Sequence, residues 1–371
     1  MKRGLLAFAM AWTVAGMLWA MPAGAEEKAG GVPEWIKAIT VKGFVSGAYS
    51  YNFNQPADRT NNLRIFDFDD RNFKLDLAEL VIRKAAEKPG EAGFSVSLEY
   101  GYSIPQVIHS TGFDASDDFD IKEAYLSYVA PVGTGLTLDV GKFVTHIGYE
   151  VIEGADGYND NYSRSFLFGL AIPFTHTGVR ASYQVSDALD LQAMVVNGWD
   201  NVRDNNDAAS FGFHVGYAPT DALSVGLNYM IGPEKDDNNS DLRQIVDVVA
   251  TASLGKSLTV GINLDYGTEE NSAADGGTAK WQGVAGYLTF AFSDTISLNV
   301  RAEIFQDKDG ARTGTEQDLQ ELTITPTFQI TPNLVVRPEF RYDTSDQDVF
   351  GSNGDLKDSQ STLAVNVLYV F

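Results

Sequence analysis

The sequence predicts an all-β fold, a single antiparallel transmembrane β-barrel of about 16 strands with short turns at one rim and long acidic loops at the other. Three observations predict it. Segment after segment alternates apolar and polar residues with a period of two. The connections between those segments are alternately short and long, which a soluble sandwich has no reason to arrange. Beyond the first 25 residues the longest purely apolar run is Phe166 to Phe174, far below the ~18 residues a spanning helix needs.

The averages conceal this pattern. The 371 residues are 44% hydrophobic with a mean hydropathy of −0.14, which reads as soluble because lipid-facing apolar and lumen-facing polar residues are counted together. The absence of cysteine excludes disulfides, thiolate metal sites and thiol nucleophiles.

The elements follow in order. Residues 1–25 carry the parts of a cleaved secretory signal: basic Lys2 and Arg3, the apolar run Gly4 to Met21, and the small-x-small site Ala23-Gly24-Ala25. Without that signal, 25 Lys and Arg stand against 50 Asp and Glu, a net charge of −25 that repels a phosphate backbone and excludes nucleic acid. Residues 26–40 are a short periplasmic segment and 41–371 the barrel. Strands are expected near 41–52, 72–83, 94–102, 121–130, 136–144, 177–185, 189–199, 211–218, 223–231, 244–254, 258–267, 281–292, 296–306, 319–330, 334–343 and 361–371. Near Leu77 and Ala78 the alternation slips by one, the mark of a bulge. Long connections near 53–71, 103–120, 145–176, 200–210, 232–243, 268–280, 307–318 and 344–360 hold 30 acids and 11 bases, so −19 of the net charge lies on one rim.

Two features set the polar face inward. It carries Lys42, Glu99, Glu123, Arg180, Arg301, Glu303, Arg337, Glu339 and Arg341, the expected lumen wall, and each would cost about 2–4 kcal/mol facing lipid at mid-bilayer. Aromatics on the other face end the strands in two girdles. One holds Tyr49, Tyr51, Tyr100, Tyr102, Trp199, Tyr229, Tyr266, Phe340 and Tyr342; the other holds Tyr128, Tyr183, Tyr217, Phe290, Phe292, Phe328, Tyr369 and Phe371.

A barrel of sixteen strands is too wide for side chains to fill, so the longest connection, 145–176, is expected to fold inward. Glu150, Glu153, Asp156 and Asp160, opposed by Arg164 and the wall bases, are then the candidate charged constriction, with Phe166 to Phe174 holding the loop to the wall. The competing reading makes 166–174 a longer strand and the acids a solvated tip. No G-x-S-x-G, H-E-x-x-H or phosphate-cradling glycine motif occurs, so no enzyme, cofactor or metal is expected. His109, His146 and His176 fall in expected loops and His214 on a polar strand face. Asp237-x-Asn239-x-Asp241 opens like a calcium loop but has Leu242 and Val248 where Gly and Glu belong.

Gly43-Phe44-Val45, Tyr49 to Pro56, Glu123 to Tyr128, Gly141 to Glu150, Tyr162-Ser163-Arg164-Ser165 and Val195 to Asn201 resemble the OmpL-like family of outer-membrane β-barrel porins. The resemblance implies a Gram-negative outer-membrane barrel passing small solutes. Phe371 resembles the terminal signal such barrels offer to their insertion machinery. The expected partners are outer-membrane lipid, that machinery and small hydrophilic solutes and ions, with a homotrimer by analogy to porins of this size. The expectation is passive diffusion with mild cation selectivity; the alternatives are a plugged or narrow barrel serving as a structural or adhesion protein, and an anion- or phosphate-specific channel.

Overall fold

A computed structural model of the protein describes residues 33–103 and 119–371. Two compact units divide before Ile39. The described part of the first holds one helical turn, α1 (Glu34–Lys37); the expected signal peptide, 1–25, and residues 26–32 of the N-terminal segment lie outside the described residues.

The second unit is the barrel. Its strands are β1 (Thr40–Asn52), β2 (Asn72–Lys84), β3 (Ala92–Tyr100), β4 (Phe119–Ala130), β5 (Leu136–Val144), β6 (Thr175–Ser186), β7 (Leu189–Val196) and β8 (Ser210–Thr220). They continue with β9 (Leu223–Pro233), β10 (Leu242–Leu254), β11 (Leu258–Glu269), β12 (Ala279–Ser293), β13 (Ile296–Asp307), β14 (Gln317–Gln329), β15 (Leu334–Ser345), β16 (Phe350–Ser352), β17 (Asp355–Lys357) and β18 (Ser359–Val370). Sixteen of these close into one antiparallel barrel; β16 and β17 form a separate hairpin inside the last long connection. Closure pairs β1 with β18, from Phe44 opposite Val370 to Asn52 opposite Thr362. Phe371 extends the seam by exchanging both backbone hydrogen bonds with Gly43, at 2.8 and 2.9 Å. Each expected strand is present within a few residues of its expected ends.

Burial is inverted relative to a soluble sheet. Arg301, Arg337 and Arg341 are wholly covered on the inner face, whereas Phe73, Leu126 and Phe292 are exposed on the outer face at 84%, 67% and 63%. Only an apolar surround makes that arrangement favourable, because closure satisfies every backbone group and leaves the outer side chains to lipid. The girdles form as expected with one correction. Trp199 does not face lipid; it follows the end of β7, is buried, and meets Trp281 edge-on at 6.3 Å. Phe73, which strand alternation near the slip obscured, takes an outward position against Tyr49 with ring centroids 4.5 Å apart.

The slip near Leu77 is a bulge. Ser46 pairs with Leu77 and Gly47 with Leu75, so Asp76 is the extra residue, and inward-pointing resumes at Leu77 and continues with Glu79 and Val81. A second register shift lies in β4, where Ser97 pairs with Glu123 and Leu98 with Ile121, so that Lys122 and Glu123 are both buried.

A uniformly polar lumen was expected, and its long-loop end departs from that. Inward positions there are Phe143, Val196, Met230, Ile245, Trp281, Phe305 and Leu319, all buried in one cluster with Phe166, Leu167, Phe168, Leu170, Ile172 and Phe174. Phe66, from the connection after β1, packs on Phe168 and Phe174 at 5.8 and 5.7 Å. That connection therefore folds inward as well, with Arg64 paired to Asp343 at 2.6 Å and to Asp67.

Candidate constriction and pore wall

The connection between β5 and β6 leaves and re-enters the barrel at one point, where the Thr145 N–H donates to the Phe174 carbonyl at 2.9 Å. We call residues 145–174 the inward loop. It turns down at Gly148, whose φ of +100° favours glycine and where a Cβ would stand 2.7 Å from Ile172. Tyr149 then lies over Gly261 of β11, where a Cβ would meet its ring at 2.4 Å, and stacks on Tyr287 at 4.0 Å. Phe166 to Phe174 return as a π-helical turn, Leu167–Ala171, embedded in the apolar cluster. The apolar run is thus not a longer strand.

Between these ends an irregular backbone crosses the lumen, and its polar groups need partners there. Wall side chains supply them. Glu339 accepts the Tyr162 and Ser163 N–H groups at 2.6 and 3.0 Å, and Glu303 those of Phe166 and Leu167 at 2.5 and 3.1 Å. Arg301 donates to the Ser163 carbonyl at 2.6 Å, Arg341 to the Arg164 carbonyl, and Trp281 to the Ala171 carbonyl at 3.0 Å. The tip makes a tight reciprocal turn between Gly154 and Gly157 and reaches the short-turn rim. There Asp156 meets Lys42 at 2.9 Å and Arg83 at 2.5 Å, and the Ala155 N–H donates to Glu79 at 2.5 Å.

Of the five constriction candidates, three are anchors. Glu150 pairs with Arg301 at 2.6 Å and also accepts from the Ser165 N–H and hydroxyl. Glu153 pairs with Arg337 at 2.8 Å and Arg164 at 3.5 Å. Burial alone would raise the Glu153 carboxyl, but Arg164 and Arg337 outweigh it and hold it below the usual carboxylate range. Asp156 and Asp160 remain in contact with water; Asp160 accepts from Thr289 at 2.6 Å. For Asp156, partial burial is likewise outweighed by hydrogen bonds from Lys42 and Arg83, so its carboxyl stays below its ordinary value.

All nine expected wall residues lie on inward-facing positions, but seven are covered. Arg301 bridges Glu150 and Glu321, Arg341 bridges Asp343 and Glu321 at 2.6 and 3.2 Å, and Glu99 meets Lys122 at 2.9 Å. Glu123 accepts the Val144 N–H at 3.2 Å. Lys42 is exposed, and Arg180, half-buried, pairs with Asp139 at 2.8 Å. Unforeseen participants are Lys74, Asp76 and Glu79 of β2 and Lys122 of β4, which the two bulges removed from simple alternation. Water-accessible inward positions are concentrated instead on the arc from β4 to β10, among them Tyr125, Ser127, Ser182, Gln192, His214 and Thr251. The loop occupies the β12–β15 side; the remaining aqueous space borders this arc.

His146, His176 and His214 come together, with ring centroids 6.5 Å apart for the first pair and 6.3 Å for His146 and His214. His176 belongs to β6 rather than to the loop; His109 lies outside the described residues.

Comparison with known proteins places this geometry. The anion-selective porin of Comamonas acidovorans superposes with a TM-score of 0.61 at 12% identity, covering 90% of this chain and 99% of that one. Pseudomonas putida OprB at high pH gives 0.61 at 10% identity over 91% and 96%. In-vitro folded OmpT of Vibrio cholerae, in its trimer form, gives 0.58 at 12% over 90% and 99%. At such identities the likeness establishes the fold. No curated protein matches the chain. Residues 38–371 match the family described as "Putative beta-barrel porin-2, OmpL-like", and the chain belongs to that family of β-barrel porins.

Proposed function

We propose that the protein is a narrow, water-filled porin of a Gram-negative outer membrane, admitting small hydrophilic solutes and ions by passive diffusion, with the inward loop as its constriction. The observation that carries this reading is the asymmetry of the lumen. The loop is held against β13–β15 by buried ion pairs through Arg301 and Arg337, while the β4–β10 arc presents hydrated polar side chains.

Mild cation preference follows from the groups that water reaches. Lys42, Arg83 and Arg180 are matched by Asp156, Asp160 and Asp190, and the long connections other than the inward loop add a net −16. The Comamonas porin is described as anion-selective, so the opposite outcome is a real alternative for this fold. Planar-bilayer recordings under a salt gradient test both parts. Discrete ohmic steps with a cation-favouring reversal potential are expected; no steps at all refute the channel, and an anion-favouring potential refutes the selectivity alone.

A homotrimer is proposed on the trimer form of Vibrio OmpT, and recognition of the terminal Phe371 by the barrel-insertion machinery on its place at the closing seam. One observation favours a second reading, a barrel that stays closed until a loop moves: the apolar packing that fills the long-loop end. Solute uptake into vesicles separates it from a standing pore.

A further inference from the structure

We propose that His146, His176 and His214, linked through Asn228 to Asp247, form an acid-sensitive latch at the root of the inward loop, and that protonation of this cluster releases the loop from the lumen. The inference rests on the porin reading for its consequence, not for its mechanism.

The latch is a chain of hydrogen bonds. Gly148 and Tyr149, the residues at which the loop turns down, donate their backbone N–H groups to the Asp247 carboxylate at 3.4 Å and to the Asn263 side-chain amide oxygen Oδ1 at 3.0 Å. Asp247 is held in turn by the side-chain amides of Asn228 and Asn263, each at 2.5 Å. Since the Asn228 amide nitrogen is committed to Asp247, its oxygen faces the His214 Nδ1 at 2.5 Å, and the His214 Nε2 faces Asp190 at 3.1 Å. Both nitrogens of His214 thus meet oxygens, an arrangement that a doubly protonated ring satisfies. His146 and His214 are both in partial contact with lumen water, whereas His176 is buried.

His146 has the opposite environment. Its Nε2 lies 3.2 Å from the Phe213 carbonyl, which can only accept, so the proton sits on Nε2. The Nδ1 is buried and finds no partner among the described residues, so a second proton there would have no acceptor among them. Burial, with His176 and His214 beside it, pushes the His146 imidazole down to about 3. His176 is saturated by the Gly198 carbonyl and the Thr145 hydroxyl, both at 3.1 Å.

The charged groups facing the cluster do not relieve it. β5 and β6 contribute Asp139 and Arg180, already paired; β7 contributes Asp190, taken by His214; β10 contributes Asp247, already accepting from three donors; and β11 contributes Asp265, a buried acid opposite Asp247 that adds no positive charge. Asp200, after β7, accepts the Phe174 and Thr175 N–H groups at 2.5 and 2.8 Å. Its carboxyl is raised to about 6 by burial, so it takes up a proton in the same range with the opposite sign. The comparison with a variant removes that contribution.

The sign for His146 is that of a depressed base. The inserted loop is fully favoured above about pH 6.5, and its advantage falls by up to about tenfold per pH unit below that, saturating near pH 3. Hydrogen exchange of peptides from 145–174, corrected for intrinsic rates, is measured on the full folded chain at pH 6.5 and 4.5, beside bilayer conductance at the same values. Relative to His146→Gln, which keeps a donor for Phe213 and does not titrate, the wild-type loop is expected to exchange up to about 100-fold faster at pH 4.5, with conductance rising in parallel. His214→Gln, which removes the neighbouring imidazole and its contacts to Asn228 and Asp190, is the second variant and should weaken the response. Identical pH profiles for the wild type and either variant overturn the latch. Loop release without current at any pH supports the latch and refutes the porin reading; current without pH-dependent release refutes the latch alone.

Discussion

Replacing Arg301 with Met isolates the force that keeps the loop in the lumen. Arg301 is wholly covered and donates to Glu150 at 2.6 Å, to Glu321 at 2.7 and 3.1 Å, and to the Ser163 carbonyl and hydroxyl at 2.6 and 3.2 Å. Met fills similar volume and donates nothing. Glu321 retains Arg341 at 3.2 Å, whereas Glu150 keeps only the Ser165 donors and becomes a buried carboxylate without a cation. Removing one partner of such a pair costs about 3–5 kcal/mol, which shifts the inserted-to-released ratio about 100- to 4,000-fold. The loop is the element that yields, because the charges rehydrate once it leaves, while the strands stay paired. Limited trypsin digestion reads this at Arg164, buried in the inserted loop and cleavable once released. Faster cleavage after Arg164 and larger, noisier channel steps are expected, with substantial recovery in Arg301→Met/Glu150→Gln. Unchanged trypsin resistance and conductance in Arg301→Met would refute the assignment of this ion pair as the anchor.

Phe168→Ala removes a buried ring packed against Phe66 and Phe174, at a cost of about 3–5 kcal/mol, and should raise cleavage at Arg164 without changing ion selectivity. Asp156→Asn/Asp160→Asn removes two water-contacting acids; the reversal potential should move toward anions while trypsin resistance changes little, since partly exposed pairs contribute only about 0–1 kcal/mol. Asp200→Asn bears on pH dependence. With its folded value raised to about 6, Asp200 contributes stability that is complete below about 4 and lost as pH rises through 6. Denaturation midpoints at pH 4.5 and 7.5 should therefore differ less in the variant, which at pH 7.5 gains at most about 3 kcal/mol.

The strands were legible because a barrel in lipid enforces strict alternation over spans of nine or more residues, and because short and long connections sort by rim. Arg301, Glu303, Arg337, Glu339 and Arg341 were legible as inward for the same reason. Their role was not, because whether such residues meet water or protein depends on a loop more than a hundred positions away in sequence: Glu150 to Arg301 spans 151 residues and Glu153 to Arg337 spans 184. Bulges at Asp76 and Lys122 broke the periodicity and hid the acidic and basic groups of β2 and β4. The inward fold of 53–71 had a signal that its acids masked, the apolar group Leu63, Ile65, Phe66 and Phe68 in a connection read as polar. The histidine cluster left no local trace; its members are placed by strand register and by the return of the loop at Thr145.

The central claim is that the inward loop, held by the wall, sets the size of the pore. Single-channel conductance of the chain with residues 150–163 replaced by a short Gly-Ser linker tests it most directly. The wall charges then border open water, and the account predicts conductance steps clearly larger than wild type with weaker discrimination by solute size. Steps of unchanged size, from a barrel that still folds, would contradict it.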